Sequence, residues 1–254
     1  MLRRAVELGV DHIDTAQFYG PDVANELIHD ALHPYPESLF IVSKVGAARD
    51  RQGAWHPAQA PADLRAGVED NLRTLDVDRL GAVNLRLTDP DATPEGVAPV
   101  PLEDQLAEMV ALRDEGKIAG VGISTATLEQ VETALTLADI VCVQNAYSLL
   151  DRHDESVLDL CQQAGVAYVP YFPLGSAFPH LPKVSEHPTV RAVAERIGHT
   201  PAQVGLAWLL AHRDNILLIP GTSSLVHLEE NMATATIELS PADLDQLEHT
   251  TSSN

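Results

Sequence analysis

Short apolar, β-branched runs recur along this chain, separated by amphipathic stretches, and that alternation leaves few folds open. The runs are 10–15 (VDHIDT), 39–44 (LFIVSK), 80–86 (LGAVNLR), 118–124 (IAGVGIS), 139–145 (DIVCVQN), 166–172 (VAYVPYF) and 215–221 (NILLIPG). They are apolar on both faces, as parallel strands covered by helices are. Between them, Leu64, Val68, Leu72 and Leu75 fall at i, i+4, i+8 and i+11, which predicts a helix over 62–76. Thr200-Pro201-Ala202-Gln203 is a capping box with Pro at the first helical position, and Ser240-Pro241-Ala242-Asp243 opens a last helix in a similar way. Strand–helix alternation on this scale gives a parallel α/β protein. No linker or low-complexity segment divides residues 1–254, so one domain is expected.

Seven strands suit an open doubly wound sheet, or an eight-stranded (β/α)8 TIM barrel short of one strand. Residues 1–9 (MLRRAVELG) read as the second half of a crossover helix, so the barrel reading has its first strand and part of helix 1 missing from this chain. The barrel is favoured because every candidate chemical residue follows the C-terminal end of a strand, where barrel active sites lie.

Of 254 residues, only 16 are Lys or Arg and they form no tract; the formal charge is −21. A phosphate backbone is held by clustered cations, so nucleic acid is not an expected partner. No run approaches the roughly 18 to 20 apolar residues of a membrane span. The apolar stretch after Arg3-Arg4 is interrupted at Glu7 and Gly9, unlike a signal peptide. Cys142 and Cys161 sit in apolar segments and read as two buried thiols. The expected location is cytoplasmic.

Tyr19, Lys44 and Asp14 form a set suited to protonating a carbonyl oxygen. A free phenol holds its proton up to about pH 10. A nearby ammonium stabilises the phenolate and makes such a group a competent general acid. Lys44 can supply that charge, and Asp14 can hold Lys44 through a charge-assisted hydrogen bond. A Lys closing the apolar run FIVS calls for a partner, because a core strand does not end in an unpaired charge. Arg86 ends the third run; it can donate to a substrate oxygen or pair with Asp89.

Ser124, Gln144 and Asn145 end strands with groups that can bind a planar amide or satisfy backbone at the strand end. Tyr171 offers a flat face for stacking. Two turns suit phosphate: Gly175-Ser176, and the segment 220–224 (PGTSS), which opens a helix. His12 and Asp14 point to one face of a strand, but no third ligand shares a spacing with them, so no metal is expected.

These residues resemble the aldo-keto reductases, barrel enzymes that use a nicotinamide cofactor without a Rossmann domain. The similarity runs through LRRAVELGVDHIDTAQFYG, FIVSKVG, LRDEGKIAGVGIS, VQNAYSLLDR, YFPLGS, TPAQVGLAWLL and IPGTSSLVHLEEN. It implies Asp14, Tyr19 and Lys44 as three members of a catalytic tetrad, with Arg86 where most members have a His. It also implies Ser124 and Gln144 at the carboxamide and Tyr171 on the nicotinamide ring. Leu174, Ser176, Gly221, Thr222, Ser223, His227, Glu230 and Asn231 would surround the pyrophosphate and adenosine. The implied reaction is reduction of a small-molecule aldehyde or ketone; the alternative is a nicotinamide-binding pseudoenzyme or an inactive truncated barrel. VNLRL and YGPDVANELI are similar to a bacterial subgroup that includes pyridoxal reductases. NADP(H) is the cofactor the family implies. NAD(H) is the alternative, because the positions that supply Lys and Arg to the 2′-phosphate in many members read Gly221 and His227. A guanidinium at position 86 stays charged, so an altered substrate scope is expected. Strand edges left unpaired by the missing first strand would favour oligomers.

Overall fold

The structure, a computed structural model, describes residues 1–50, 52–88, 99–175 and 182–251. They fall into two compact units, one of residues 9–144 with Leu2, the other of residues 145–254 with Met1 and residues 3–8.

In the 9–144 unit, β1 (His12–Asp14), β2 (Phe40–Arg49), β4 (Ala82–Arg86), β5 (Val121–Ser124) and β6 (Ile140–Gln144) lie side by side in that order, all parallel. Val42, Val83, Val121, Ile123 and Val143 are all buried. Each such aliphatic side chain taken from water contributes about 1.5–3 kcal/mol. The crossovers are α2 (Val23–Leu32), α3 (Pro61–Leu75), α4 (Leu102–Asp114) and α5 (Leu128–Leu137). This is the right-sided logic of consecutive βα units, in which each helix covers the sheet that its own strand entered.

The helix predicted over 62–76 spans 61–75, with one difference in its inward stripe. Leu64, Val68, Asn71, Thr74 and Leu75 are buried, while Leu72 is half-buried. The polar pair Asn71 and Thr74 takes the inward positions because partners wait there. Asn25 Nδ2 on α2 donates to Asn71 Oδ1 (2.9 Å) and Thr74 Oγ1 (3.0 Å), and Ser43 on β2 donates to the same Asn71 oxygen (2.5 Å).

An element absent from the sequence reading extends the second strand. β2 continues to Arg49 and turns into β3 (Trp55–Ala58), an antiparallel partner in which Arg49 faces Trp55. The Asp50 carboxylate accepts from the backbone N–H of Gln52 and Ala54 and closes the turn. Gly46 lets this ribbon pass close to β4. Its φ is +98°, and a Cβ there would stand 2.4 Å from the Arg86 carbonyl oxygen.

In the other unit, the expected helix at the start of the chain is present as α1 (Leu2–Glu7). Asp154 leads into α6 (Glu155–Ala164), and β7 (Ala167–Tyr168) is short. The run 215–221 does not form a strand. Among the described residues its backbone-to-backbone bonds lie along one side only, where Tyr168 N–H donates to the Asn215 carbonyl (2.9 Å) and Leu217 N–H to the Tyr168 carbonyl (2.9 Å). A ladder needs more than one such bridge. α7 (Pro188–Ile197), α8 (Pro201–His212), α9 (Leu225–Ala233) and α10 (Pro241–Glu248) complete the unit. The predicted capping boxes at Thr200/Gln203 and Ser240/Asp243 both close with reciprocal bonds. α8 is buried on most sides, as its sequence VGLAWLL requires, with Leu206, Trp208 and Leu209 fully inside. Among the described residues, no helix is long and apolar enough to cross a membrane.

Candidate active site

The parallel register brings the ends of β1 and β2 together, since Asp14 pairs with Val42, two residues before Lys44. Lys44 is buried, 4% exposed as a residue. Its ammonium donates to Asp14 Oδ1 and to the Thr15 carbonyl (3.1 Å). The second Asp14 oxygen accepts from Gln144 Nε2 (2.8 Å). A buried ammonium is thus paired, and both carboxylate oxygens are used, the condition under which burying such charges is tolerable.

Tyr19 lies in the turn after β1. Its N–H donates to the Ala16 carbonyl (3.0 Å), and its carbonyl accepts from Ala24 N–H (3.2 Å) at the start of α2. Tyr19 is 41% exposed, and Lys44 Nζ stands 5.2 Å from its ring centroid. The expected trio is therefore assembled: carboxylate, ammonium and an accessible phenol in sequence.

Around the trio is an aromatic and cationic rim. Phe18 meets Tyr19 edge-on (5.5 Å) and Trp55 edge-on (5.1 Å). Trp55 carries the Arg49 guanidinium at 4.0 Å and that of Arg86 at 5.3 Å. Arg86 leaves the end of β4, where the Gln59 side chain donates to its carbonyl (3.2 Å). Asp89, its other expected partner, lies outside the described residues. Trp55 and Arg49 were not found from sequence. The one available signal was Asp50 and Gly53 between two runs, the chemistry of a turn.

Ser124 and Gln144 are both buried at strand ends, at adjacent register positions on β5 and β6. Gln144 Oε1 is buried and has no hydrogen-bond partner among the described residues. Asn145 is spent internally. Its Nδ2 donates to Asp154 Oδ2 (2.8 Å), which also accepts from Tyr168 Oη (2.7 Å). Burial pushes the Asp154 carboxyl up while these two donors pull against it, and burial beside Asp154 pushes the Tyr168 phenol well above its ordinary value.

Within the 145–254 unit, a cavity of about 610 Å³ collects most of the remaining expected residues. Tyr171 and Leu174 stand on one stretch of its lining, Gly221 and Thr222 on another, and His227, Glu230 and Asn231 on α9. Ser224 caps α9 by accepting from His227 N–H (3.4 Å), and Thr222 accepts from Ser224 N–H (3.1 Å). Ser223 is in this loop and is not part of the lining. Ser176 lies outside the described residues. Among the described residues, no Lys or Arg lines the cavity.

Comparison with known proteins decides the family, since the aldo/keto reductase family matches residues 1–251. The chain belongs to the aldo/keto reductase family. It is 45% identical to pyridoxine 4-dehydrogenase of Escherichia coli over 98% of this chain and 84% of that protein. It is also 37% identical to an uncharacterised oxidoreductase of Schizosaccharomyces pombe, over 94% and 74% of the two chains. Among solved structures, the thermostable aldo-keto reductase Tm1743, in complex with the inhibitor epalrestat, matches with a TM-score of 0.83 at 31% identity over 98% of this chain and 85% of that one. An aldo/keto reductase from Klebsiella pneumoniae, in complex with NADP and acetate, matches with a TM-score of 0.82 at 28% identity over 97% and 82%. This aldo/keto reductase is an oxidoreductase, and the α/β fold of (β/α)8-barrel type expected from its sequence holds.

Proposed function

We propose that this aldo/keto reductase reduces an aldehyde or ketone to an alcohol with NADP(H), using Tyr19 as proton donor, within a single catalytic domain. The observation that carries the proposal is the buried Lys44 ammonium, fixed by Asp14 and lying 5.2 Å from the Tyr19 ring. The residues fit a nicotinamide cofactor. Gln144 Oε1 is an unspent buried acceptor for a carboxamide, beside the Ser124 hydroxyl. Tyr171, Leu174, Gly221, Thr222, His227, Glu230 and Asn231 line a cavity of suitable chemistry for the stacked ring and the phosphate-bearing half, with the start of α9 contributing its dipole. Ser176 and Ser223 keep the role that the family resemblance gives them. When bound, the cofactor supplies the hydride that reaches the carbonyl carbon.

The chain's own residues handle the oxygen. As negative charge develops there, the Tyr19 hydroxyl donates its proton. Lys44 stabilises the phenolate left behind, and Asp14 keeps Lys44 oriented. Arg86 donates hydrogen bonds to the same oxygen in place of an imidazole. It remains a cation throughout, so it polarises the carbonyl without exchanging a proton.

For the substrate, we propose a pyridoxal-type aldehyde or its alcohol pyridoxine, following the 45% identity to pyridoxine 4-dehydrogenase. The rim supports this. Trp55, exposed and backed by the buried Phe18, offers its ring to an aromatic substrate, and Arg49 and Arg86 suit its phenolate oxygen.

Tyr19→Phe tests the assignment. Pyridoxal-dependent NADPH oxidation should fall by about 10²- to 10⁴-fold, while NADPH binding, followed by Trp fluorescence, stays as in the unaltered protein. Undiminished turnover would remove Tyr19 from the mechanism. NADPH binding by the unaltered chain, with no turnover on any aldehyde, would instead favour a nicotinamide-binding pseudoenzyme.

A further inference from the structure

The last turn of α2 and the end of α3 bring together three metal-ligating side chains that the proposed reduction does not use. His29 and His33 are four residues apart, so their rings share one helix face, stacked with centroids 4.8 Å apart and planes at 23°. Asp76, the left-handed residue that ends α3 (φ +52°), brings its carboxylate near both rings. Its Oδ2 lies 3.5 Å from His33 Nε2 and 4.0 Å from His29 Nε2. One ligand atom from each of the three residues fits within 4.8 Å of the others, and among the described residues no other group of three or more does so.

Zinc bonded to imidazole and carboxylate at about 2.0–2.2 Å in a tetrahedron holds neighbouring donor atoms about 3.4 Å apart. The His33–Asp76 separation already meets that spacing, and the His29–Asp76 separation misses it by about half an ångström, within reach of a small χ rotation. The surroundings are those of a supported metal ligand. His29 Nδ1 faces Asp30 Oδ1 at 3.4 Å, so a carboxylate stands behind the ligating ring. Tyr35 packs its edge on the His33 ring (5.4 Å) and is itself anchored by its hydroxyl on the Leu75 carbonyl (2.8 Å). The carbonyl end of α2 and a chain charge of −21 both favour a cation at this place. A His–Asp ion pair alone accounts for one imidazole against Asp76. It leaves the second of the two stacked rings, whose Nε2 is also near the same oxygen, without a role.

We propose that His29, His33 and Asp76 bind one divalent transition ion of the zinc class, with water completing the coordination, and that the ion staples the end of α2 to the end of α3. Imidazole with carboxylate selects Zn²⁺, Ni²⁺ or Cu²⁺ over Mg²⁺ and Ca²⁺.

The test is calorimetric titration of the full chain with ZnCl₂ after EDTA treatment, with MgCl₂ in parallel and a thermal melt of each. One equivalent of Zn²⁺ should bind saturably and raise the melting temperature, while Mg²⁺ does neither. The double variant His29→Gln/His33→Gln should weaken Zn²⁺ binding by more than about tenfold. Asp76→Asn should do the same while keeping the left-handed cap, because Asn tolerates that conformation. Both side-chain sets are on the surface, and circular dichroism checks that the variants fold. Zn²⁺ binding that survives in the double variant would place the ion on other histidines and overturn the proposal, as would no binding by the unaltered chain.

Discussion

The Lys44 ammonium and the Asp14 carboxylate form a closed pair, with side chains 5% and 9% exposed. The remaining Asp14 oxygen is taken by Gln144. In the proposed reaction the pair would act as a fixed charge source beside the phenolate, as a preorganised site does to lower a barrier.

Replacing Asp14 by Asn removes the charge and keeps the shape. Lys44 is then buried beside a neutral amide, and breaking a buried pair from one side costs about 3–5 kcal/mol. Urea unfolding of Asp14→Asn should show a loss of that order, and kcat for aldehyde reduction should fall with it. A variant as stable and as active as the parent would show that the pair is not what positions Lys44.

The family resemblance implies an imidazole where this chain has Arg86, and the proposed mechanism gives the guanidinium a part in substrate choice. Arg86→His should keep reduction of a simple neutral aldehyde such as benzaldehyde, while kcat/KM for pyridoxal falls by about tenfold or more, the worth of one charge-assisted contact. Parallel steady-state kinetics on the two aldehydes checks this. Equal losses on both would mean that Arg86 acts on the carbonyl oxygen alone and has no part in substrate choice.

Much of this architecture could be read in advance because parallel α/β units repeat one signal. The runs at 10–15, 39–44 and 80–86 became β1, β2 and β4, and they carry Asp14, Lys44 and Arg86, the residues of the candidate site. What escaped depended on partners distant in sequence. The run 215–221 is as apolar as the others, yet among the described residues its backbone bonds along one side only and it forms no strand. Leu72 fits the helical stripe on periodicity, whereas the inward place went to Asn71, whose partners Asn25 and Ser43 are 46 and 28 residues away. Trp55 follows a turn whose flanking strands carry no alternating pattern, so its place on the rim became visible only with the β2–β3 ribbon.

His12 gives the fold a defined acid sensitivity. Burial holds its imidazole below the ordinary value near 6.5; Lys44 pushes the same way, and the nearby Asp14 and Asp11 carboxylates oppose it. Above that value His12 is neutral in both folded and unfolded chains and contributes no slope. As pH falls through about 6.5, the unfolded chain takes up a proton that the folded chain resists, so stability declines until the lower folded value is passed. His12→Gln should flatten this part of the stability–pH curve, read as urea midpoints between about pH 7.5 and about pH 5. The lost stacking on Phe40 would shift the whole curve without changing its slope. Parallel slopes in the two proteins would exclude His12 as the source.

The buried amide network gives a last test, linking packing to catalysis. Thr15 follows Asp14, and Ser43 precedes Lys44. Thr15 donates to Asn25 Oδ1 (3.1 Å), and Asn25 and Ser43 both donate to Asn71, whose own Nδ2 donates to the Gly67 carbonyl (2.8 Å). The helices α2 and α3 thereby fasten the two strand ends that present the charge pair. Asn71→Ala removes the shared acceptor and leaves the Ser43 and Asn25 donors buried, at about 1–3 kcal/mol each. Ser43→Ala removes one donor and leaves Asn71 with Asn25, so it should cost about 1 kcal/mol. Urea unfolding should rank the two in that order. If the network also holds Lys44 and Asp14 in register, kcat of Asn71→Ala should fall while KM for NADPH stays near the parent value, because loss of placement raises the barrier without altering the proposed cofactor-binding residues. A stable, fully active Asn71→Ala protein would show that the strand ends are held by the sheet alone.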